Sequence, residues 1–392
     1  MKNISITIPT LSNGGAERVV SNISLNLPDD INNNIFLYRD EITYDYKGKI
    51  DFIHSIESNN FFRKIIASIQ RIINLRKLKK KNDINKSISF LTNPNVINIL
   101  SKVDEEIILS VRNYKSKQVN GLNGTIYKYL MRLLYNRADK LIAVSEIIKH
   151  DLINNFNIDE DKIHVINNPY DIEKIGRLSA EEVGIKHKEI FENPTIITVG
   201  SLTEQKGHWN LIKAISELKN DIPNIQLVIL GKGELENKLV KLSEDLGVAD
   251  RIHFLGFVDN PFKYVKNADI FVFPSLYEGF PNALVEAMAC GTPVISTDCK
   301  SGPREILAPD TDIFKSADEI EYEKYGILVP VRDNIKVLEG NNFNEEIDGL
   351  VNSIKELLVN DNLRQEYSEL AKERVEDFKI DLIMEEWVNL IK

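Results

Sequence analysis

The sequence predicts an α/β protein with two doubly wound domains, and three features of its 392 residues support this. Short apolar runs typical of buried parallel strands alternate with amphipathic helical segments along the whole chain. The polar run Asn-Asn-Pro at 167–169 interrupts this alternation near the middle. A second strand-turn-helix series then begins at 195–200. We therefore expect two facing Rossmann-like domains with an interdomain cleft, where ligands commonly bind.

Composition restricts the functional classes. A formal net charge of -10 disfavours wholesale binding of nucleic acid. The two cysteines, Cys290 and Cys299, are too few for a disulfide framework or, by themselves, a tetrahedral metal site, which fits a reducing cytoplasm. Met1 leads directly into a strand pattern, so no signal peptide is expected, and no apolar run approaches the ~20 residues of a membrane span. The predicted location is cytoplasmic, with any membrane contact made peripherally on the inner face of the cytoplasmic membrane.

The first half opens with a strand, a glycine pair and a helix, as nucleotide-binding folds do. The strand is predicted at 4–9, and an apolar helical pattern runs on to Leu27. Gly14 and Gly15 lie between them and would let a ligand approach the backbone closely. The spacing is not GxGxxG and no ribose-binding acid follows at the expected distance, so NAD binding is disfavoured. The alternative is that the glycines only shape the turn.

Six further strands are expected in this half, at 36–38, 50–53, 87–91, 107–111, 138–144 and 162–166. A helix is expected at 127–136, and Ser145 is predicted to cap another that begins at Glu146. Arg112 follows the strand at 107–111. Because ligands bind at strand ends in open α/β sheets, it is a candidate anion contact. The alternative is an ordinary surface arginine.

Residues 61–81 predict a basic amphipathic helix. Isoleucines and leucines recur at helical spacing, and no acidic residue interrupts the segment. Its basic residues are Arg63, Lys64, Arg71, Arg76, Lys77, Lys79, Lys80 and Lys81. On an acidic protein, such a helix suggests contact with anionic lipid or with an acceptor at the membrane. The alternative is a helix packed on the core with a basic outer face.

The second half repeats the pattern, with strands expected at 195–200, 225–230, 252–256, 270–273 and 292–297 and an edge strand at 325–331. Helices are expected at 209–218, 260–267, 283–290, 344–358, 362–378 and 380–391. In the polar loop at 200–207, Lys206 stands beside a glycine and could reach a phosphate.

The stretch from 270 to 305 is the most informative part of the chain. Glu278 lies on the turn after a strand, and Glu286 lies about two helical turns further on. Pro281 suits the first turn of the helix that contains Glu286, and a helix start attracts phosphate. Two carboxylates near such a start could accept hydrogen bonds from sugar hydroxyls, so the stretch suits a sugar nucleotide. The alternative for Glu286 is a solvated surface glutamate.

Three motifs now support a resemblance over nearly the whole chain. They are GGAER at 14–18, GSLTEQKG at 200–207 and EGFPNALVEAMACGTPVI at 278–295. The chain resembles the retaining glycosyltransferases of family 4, which have the GT-B fold. With SVRN at 110–113, it is most similar to bacterial enzymes that build surface oligosaccharides on lipid carriers. The resemblance implies domain boundaries at 1–168 for the acceptor and 169–378 for the donor, with a helix at 379–392 crossing back to the first domain.

The resemblance also implies roles for single residues. Glu286 would hold the ribose, Glu278 would face the donor sugar, and Lys206 would neutralise the diphosphate. The segment that would cradle phosphate and sugar consists of Gly279, Phe280, Pro281 and Asn282. Gly14 and Gly15 would form a loop beneath the same ligand. The sequence departs from the family at Ser201, where many members have arginine, and at Arg112, the third catalytic candidate, where many have histidine.

The implied activity is retaining transfer of a hexose or N-acetylhexosamine from a nucleotide sugar, expected to be UDP-linked. The expected acceptor is a surface glycan or a polyprenyl-diphosphate-linked oligosaccharide, and an anionic membrane surface is a further expected partner. No metal and no cofactor are expected. Two alternatives share the fold: a sugar-nucleotide 2-epimerase, and a non-catalytic sugar-nucleotide binding protein. The paired glutamates and GGAER argue against the first, and the combination of Lys206, Glu278 and Glu286 argues against the second.

Overall fold

The computed structural model of the chain describes residues 2–12, 14–56, 60–114, 116, 121–331 and 347–392, with the backbone alone at 61 and 121–127. The chain divides into two compact units. The first comprises Met1–Tyr170 together with Phe378–Lys392, and the second comprises Asp171–Asp377. The chain thus leaves the first unit after Tyr170 and returns to it at Phe378.

Within the described residues, the first unit has a seven-stranded parallel sheet. Its strands are β1 (Lys2–Ile8), β2 (Ile31–Leu37), β3 (Lys49–Phe52), β4 (Lys86–Phe90), β5 (Glu106–Val111), β6 (Lys140–Ala143) and β7 (Ile163–Val165). They lie in the order β3-β2-β1-β4-β5-β6-β7. Every strand predicted for this half is present, although β2 begins earlier than expected.

Helices cover both faces of this sheet. They are α1 (Gly15–Asn26), α2 (Phe61–Lys81), α3 (Thr92–Leu100), α4 (Gly121–Tyr135), α5 (Glu146–Phe156) and α15 (Ile380–Ile391). The predicted bounds of α2 and α15 are confirmed, and the Ser145 hydroxyl caps α5 by accepting from the Ile148 N–H at 3.3 Å. α3 was not predicted. Among the described residues, no helix is both long and apolar enough to cross a membrane.

The two faces of the first sheet differ in chemistry, because alternate strand residues point to opposite sides. On one face, Ile4, Ile6 and Ile8 form an apolar core with α1 and α15. Trp387 of α15 stacks on Phe90 of β4, with ring centroids 6.0 Å apart. The last helix is therefore an integral part of the first unit's core.

The opposite face of β4 carries a buried polar network. The Ser87 hydroxyl donates to Asn98 Oδ1 at 2.7 Å, and the Ser89 hydroxyl donates to Asn95 Oδ1 at 2.8 Å. Both asparagines lie on α3, so α3 is held to the sheet by hydrogen bonds. Lys79 of α2 donates to the Asn98 carbonyl at 3.0 Å, which attaches α2 to the same network.

The described part of the second unit also has a seven-stranded sheet. Its strands are β8 (Thr195–Val199), β9 (Gln226–Leu230), β10 (Ile252–Gly256), β11 (Ile270–Phe273), β12 (Val294–Thr297), β13 (Glu321–Glu323) and β14 (Gly326–Val329). They lie in the order β10-β9-β8-β11-β12-β14-β13, parallel except for β13. The strand predicted at 325–331 is present as β14, but the prediction that it lies at the edge of the sheet is wrong. β14 lies between β12 and β13, and β13 forms the edge. β13 escaped prediction because Glu-Tyr-Glu has no apolar run.

The helices of the second unit are α6 (Ile172–Ser179), α7 (Ile185–Lys188), α8 (His208–Leu218), α9 (Glu236–Asp245), α10 (Phe262–Asn267), α11 (Asn282–Ala289), α12 (Pro303–Leu307), α13 (Asp348–Val359) and α14 (Asp361–Val375). The predicted helix at 344–358 corresponds to α13, and its first three positions lie outside the described residues. α6, α7 and α12 were not predicted. All three are eight residues or shorter, too short for a clear apolar period.

Both sheets reverse their strand order at an equivalent place, between β1 and β4 and between β8 and β11. The prediction of two doubly wound, Rossmann-like domains is therefore confirmed. In such sheets, ligands bind beyond the carboxyl ends of the two strands at the reversal. In the second unit the loops at this place begin after Val199 and Phe273.

Candidate active site

Lys206 and Glu278 meet at the reversal of the second sheet. Lys206 lies on the loop after β8, and Glu278 lies on the loop after β11. Their side chains form an ion pair, with Lys206 Nζ 2.7 Å from Glu278 Oε1. The lysine side chain is 20% exposed and the glutamate side chain 9% exposed. The ammonium and the carboxylate, 72 positions apart in the sequence, thus form a partly buried ion pair. They lie at the place where ligands bind in sheets of this kind.

The two loops are joined by their backbones. The Leu276 N–H donates to the Gln205 carbonyl at 2.8 Å, and the Gln205 side-chain amide donates to the Tyr277 carbonyl at 2.9 Å. Gly207 has φ +62°, and a Cβ there would lie 2.3 Å from the Pro274 carbonyl oxygen. Glycine is therefore required at 207 for the loops to approach, and the ion pair is positioned by backbone contacts on both sides.

The turn that follows Glu278 is held by hydrogen bonds to the loop after β12. The Glu278 N–H donates to the Lys300 carbonyl at 2.9 Å, and the Ser301 N–H donates to the Glu278 carbonyl at 3.2 Å. The Ser301 hydroxyl donates to the Gly279 carbonyl at 2.6 Å. A Cβ at Gly302 would lie 2.4 Å from Pro281 Cδ, so this loop packs tightly on the turn. Residues after β12 thus fix the segment predicted to cradle the phosphates, although sequence reasoning did not single them out.

Helix α11 begins one residue earlier than the predicted 283–290, with Pro281 as its N-cap and Asn282 as its first residue. The Pro281 carbonyl accepts the Leu284 N–H at 3.1 Å. Phe280, just before the cap, is buried at 7% exposure. Residues 279–282, which were predicted to cradle phosphate and sugar, therefore lead directly into the helix start.

Glu286 lies in the second turn of α11 and is only 8% exposed. The reading of Glu286 as a solvated surface glutamate is therefore wrong. The charge of Glu286 also affects the pKa of Cys290, which lies one helical turn later. Burial, reinforced by the Glu286 charge, raises the pKa of the Cys290 thiol to about 12. A buried carboxylate on a helix that starts at the site is suited to accept hydrogen bonds from ligand hydroxyls.

Ser201 lies on the same loop as Lys206 and is exposed. The backbone beside it packs against the next loop of the sheet. A Cβ at Gly231 would lie 1.9 Å from the Gly200 carbonyl oxygen, and a Cβ at Gly233 would lie 2.3 Å from the Leu202 carbonyl oxygen. The two glycines after β9 therefore let this loop lie against the Ser201 loop, which supports the strand end at which Lys206 sits.

His208 is a residue of this site that sequence reasoning missed. It is the first residue of α8, two positions after Lys206, and it is 1% exposed. Burial, together with the nearby Lys206 charge, lowers the pKa of the His208 imidazole to about 3. Its Nδ1 atom has no hydrogen-bond partner among the described residues. His208 is therefore neutral at physiological pH. Its position directly after the GSLTEQKG motif was the available signal.

In the first unit, Arg112 lies at the carboxyl end of β5 and is half-buried. Its guanidinium donates to Asn168 Oδ1 and, at 3.4 Å, to the Ser110 hydroxyl. It also lies 5.6 Å from the centroid of the Phe90 ring. Burial lowers the pKa of Arg112 to about 10, partly offset by Tyr170 and Glu17, so the charge remains at neutral pH. The arginine is thus a fixed cation anchored by its own unit.

Gly14 and Gly15 lie at the start of α1, after β1, with Gly14 as the N-cap. Gly14 has an extended backbone, and a Cβ there would lie 1.9 Å from Glu17 Oε2. The missing side chain therefore makes room for the Glu17 carboxylate to fold back over the helix start. Burial raises the pKa of Glu17, and the Arg112 charge opposes that shift. Glu17, the fourth residue of GGAER, was not among the predicted site residues.

The basic residues of α2 do not form one surface. Six of them are exposed: Arg63, Lys64, Arg76, Lys77, Lys80 and Lys81. Arg71 is half-buried, and its guanidinium lies 4.4 Å from the centroid of the Tyr38 ring. The prediction that Lys79 contacts a membrane or an acceptor is wrong, because it is 2% exposed and its ammonium lies 2.7 Å from Glu105 Oε1.

Across the described residues, no group of three or more histidine, cysteine, aspartate or glutamate side chains is placed to hold a metal ion. Both cysteines are buried free thiols. The charged side chains that the sequence predicted for the site of the second unit are the ammonium of Lys206 and the carboxylates of Glu278 and Glu286.

The chain matches two protein families. "Glycosyl transferases group 1" matches residues 181–325, and "Glycosyltransferase Family 4" matches residues 102–174. An uncharacterized glycosyltransferase of Methanocaldococcus jannaschii is 37% identical over 292 residues, covering 73% of this chain and 72% of its own length. Campylobacter jejuni N-acetylgalactosamine-N,N'-diacetylbacillosaminyl-diphospho-undecaprenol 4-alpha-N-acetylgalactosaminyltransferase is 32% identical over 385 residues, covering 96% of both chains.

Solved structures are similar in fold. Anabaena HepE in complex with UDP-glucose superposes with a TM-score of 0.76 and 17% identity, covering 100% of this chain and 99% of HepE. WaaG, a glycosyltransferase involved in lipopolysaccharide biosynthesis, gives a TM-score of 0.72 and 15% identity, covering 99% of both chains. Taken with the two Rossmann-like sheets and the relatives that match most of its length, these similarities show that the chain belongs to the family 4 glycosyltransferases, transferase enzymes of the GT-B fold.

Proposed function

We propose that this enzyme transfers a hexose or N-acetylhexosamine from a UDP-sugar to a lipid-linked glycan acceptor, with retention of anomeric configuration. The observation that carries the proposal is the Lys206–Glu278 ion pair at the reversal of the second sheet. A cation there meets the charge of a diphosphate, and a carboxylate beside it meets sugar hydroxyls. Both groups are held by backbone contacts, so little reorganisation is needed when the donor binds.

Each group has a role in this proposal. Lys206 takes up the negative charge that develops on the leaving diphosphate, helped by the backbone at the start of α11. Glu278 orients the donor sugar. Glu286 accepts hydrogen bonds from the ribose, for which its burial on α11 is suited. In the first unit, Arg112 is proposed to contact substrate as a fixed cation.

The reaction breaks the bond between the anomeric carbon and the diphosphate oxygen, and the electron pair leaves with the diphosphate. The acceptor hydroxyl oxygen bonds to the same face of the anomeric carbon, and its proton passes to the departing diphosphate oxygen. Glu278 is not assigned as a nucleophile, because its carboxylate is engaged by Lys206. Trapping of a glycosyl adduct on Glu278 would overturn this step.

The donor and acceptor classes are proposed from relatives. HepE, whose fold this chain shares, has been solved with UDP-glucose, which supports a UDP-sugar donor. The Campylobacter jejuni relative acts, by its name, on a diphospho-undecaprenol-linked saccharide, which supports a polyprenyl-diphosphate-linked acceptor. An enzyme with such an acceptor works at the cytoplasmic membrane, and the exposed basic residues of α2 support peripheral contact there.

Thermal-shift screening against UDP-, GDP- and ADP-sugars tests the donor. We expect stabilisation by a UDP-sugar, weakened in Glu286→Gln, and transfer that persists in excess chelator. Stabilisation only by GDP- or ADP-sugars would contradict the assignment of uridine. Incubation with UDP-N-acetylglucosamine without acceptor tests the epimerase alternative, and assays of UDP binding and of transfer to acceptors test the binding-protein alternative. A new epimer would indicate a 2-epimerase, and tight UDP binding without transfer to any acceptor would indicate a binding protein.

A further inference from the structure

We propose that Asp298, Ser301 and Arg304 are positioning residues of the transfer site. A buried ion pair between the first and the last of them closes the loop after β12, and the closed loop holds the turn at Glu278 in the geometry that binds the donor diphosphate. What the turn binds rests on the function proposed above, whereas the contacts that hold it lie within the second unit. None of the three residues is proposed to touch substrate, and each acts through the turn.

The ion pair spans the loop between β12 and α12. Asp298 is the first residue after β12, and Arg304 lies in α12, six positions later. Arg304 Nε donates to Asp298 Oδ2 at 3.0 Å. The arginine side chain is 2% exposed and the aspartate side chain 3% exposed. Both ends of the loop are therefore fixed by one contact that water does not reach.

Both members of the pair have further partners. Arg304 Nη2 donates to Glu321 Oε2 of β13 at 2.8 Å, and Arg304 Nη1 donates to the Thr311 hydroxyl at 3.3 Å. The Ala317 N–H donates to Asp298 Oδ2 at 2.7 Å. Several charge-assisted bonds to a planar guanidinium fix its direction as well as its distance. The pair therefore anchors the loop to the edge strand β13 and to the segment before it.

The loop closed by this pair is bonded to the turn that carries Glu278. The Glu278 N–H donates to the Lys300 carbonyl at 2.9 Å, and the Ser301 hydroxyl donates to the Gly279 carbonyl at 2.6 Å. Ser301 is itself completely buried. Because Glu278 forms its ion pair with Lys206 from this turn, a shift of the loop would move both the carboxylate and the backbone proposed to hold the phosphates.

The energetics of buried ion pairs favour a positioning role over a purely stabilising one. Taking two charges out of water costs about as much free energy as their attraction returns, so such a pair adds little net stability. What the pair of Asp298 and Arg304 can supply is a single geometry for the loop. At a site of group transfer, a misplacement of about 1 Å can lower the rate by about 10². Loss of the pair should therefore affect ligand binding and transfer more than folding.

The variant Asp298→Asn/Arg304→Met removes both charges with little damage to their neighbours. Asparagine keeps an acceptor oxygen for the Ala317 N–H. Glu321 keeps a cation, because Lys315 Nζ lies 2.7 Å from its carboxylate. The variant is therefore expected to fold, and urea unfolding checks this.

The first measurement needs no ligand. Amide hydrogen exchange over residues 275–284 should be faster in the variant by about 2- to 10-fold, because the bonds from the Glu278 turn to the loop are weakened. The second measurement compares two ligands. Affinity for UDP should fall by about tenfold, whereas UMP, which lacks the second phosphate, should bind as it does to the wild type. A global loss of stability would not separate the two nucleotides.

The matched control is Lys79→Met/Glu105→Leu, which removes an ion pair of the first unit with both side chains 1% exposed. It should leave exchange over 275–284 and UDP affinity unchanged. Ser301→Ala, which removes one hydroxyl, should reproduce the pattern of the double variant with smaller amplitude, and it decides the test if the double variant does not fold.

Unchanged exchange at the turn in a folded double variant or in Ser301→Ala would overturn the proposal. Equal losses of UDP and UMP affinity would also overturn it, because they would indicate general damage to the unit. Wild-type protein that binds no UDP would instead reject the donor proposed above, and the exchange measurement would still decide whether the loop positions the turn.

Discussion

Replacing Lys206 with methionine separates the two roles of its ammonium, one in catalysis and one in stability. Its Nζ lies 2.7 Å from Glu278 Oε1 and 5.0 Å from the centroid of the Phe273 ring. Methionine keeps an unbranched apolar side chain and removes the ammonium, together with its hydrogen bond to Glu278 and its cation–π contact with Phe273. Any change in rate or stability can then be assigned to the ammonium.

The expected magnitudes follow from the geometry. If Lys206 stabilises the leaving diphosphate, its loss should lower kcat by about 10²–10³, the effect of removing one preorganised oxyanion contact. Independently, the Glu278 carboxylate, 9% exposed, loses its cation. Leaving a buried acceptor without its partner costs about 1–3 kcal/mol of unfolding free energy. Lys206→Met should therefore be both slower and less stable.

A double variant distinguishes the two effects. In Lys206→Met/Glu278→Gln no unpaired carboxylate remains, so the unfolding free energy should return to within about 1 kcal/mol of wild type. Transfer should stay at least as slow as in the single variant. Urea unfolding and transfer from a labelled UDP-sugar measure both quantities, with Lys238→Met on α9 as the exposed-lysine control. Near-normal turnover in Lys206→Met, or recovery of the rate in the double variant, would refute the assignment.

Two further predictions concern buried charges. Lys79→Met should lower the free energy of unfolding by about 3–5 kcal/mol, because it leaves the Glu105 carboxylate without its cation at 1% side-chain exposure. Lys79→Met/Glu105→Leu should recover most of this loss, and the exposed-residue control Lys80→Met should change stability little. Equal effects of the Lys79 and Lys80 substitutions in urea unfolding would contradict this. Because the pKa of His208 is depressed in the folded protein, the unfolded chain takes up a proton at this imidazole at a higher pH than the folded protein does. The stability conferred by neutral His208 is therefore complete above pH 6.5 and is lost as pH falls towards 3. Between pH 6.5 and 5 the wild type should lose about 2 kcal/mol more than His208→Gln, and parallel pH profiles of thermal unfolding would show that the imidazole is not buried as described.

The sequence was most informative where local pattern decides structure. Apolar runs such as 107–111 predicted the strands, and the bounds of α2 followed from its period and its lack of breaking residues. The approach of Lys206 to Glu278 also had a physical basis in the sequence. Both lie just after strands of one doubly wound series, and such loops converge when the strands are neighbours in the sheet.

The sequence did not show which side chains pair with residues far away in the chain. Helical spacing puts Lys79 on the same side of α2 as the buried Leu75, but nothing in the run of lysines shows that Glu105, 26 positions away, lies beneath it. The burial of Glu286 is similar, since a single glutamate on a helix gives no sign of what packs over it. The edge strand β13 was missed because its charged residues are fixed by other elements, with Glu321 paired to Arg304. In each case the deciding partner is distant in the chain.

The proposal of retaining transfer from a UDP-sugar is tested most directly by the anomeric configuration of the product. The enzyme is incubated with a labelled α-linked UDP-N-acetylhexosamine and a polyprenyl-diphosphate-linked acceptor, with excess chelator, and the glycolipid product is analysed by NMR. We predict label in the glycolipid with an α-anomeric linkage, and almost none with Lys206→Met. A β-linked product would contradict retention, and label that appears only in a free epimer or stays in the donor with every acceptor would contradict glycosyl transfer from this donor.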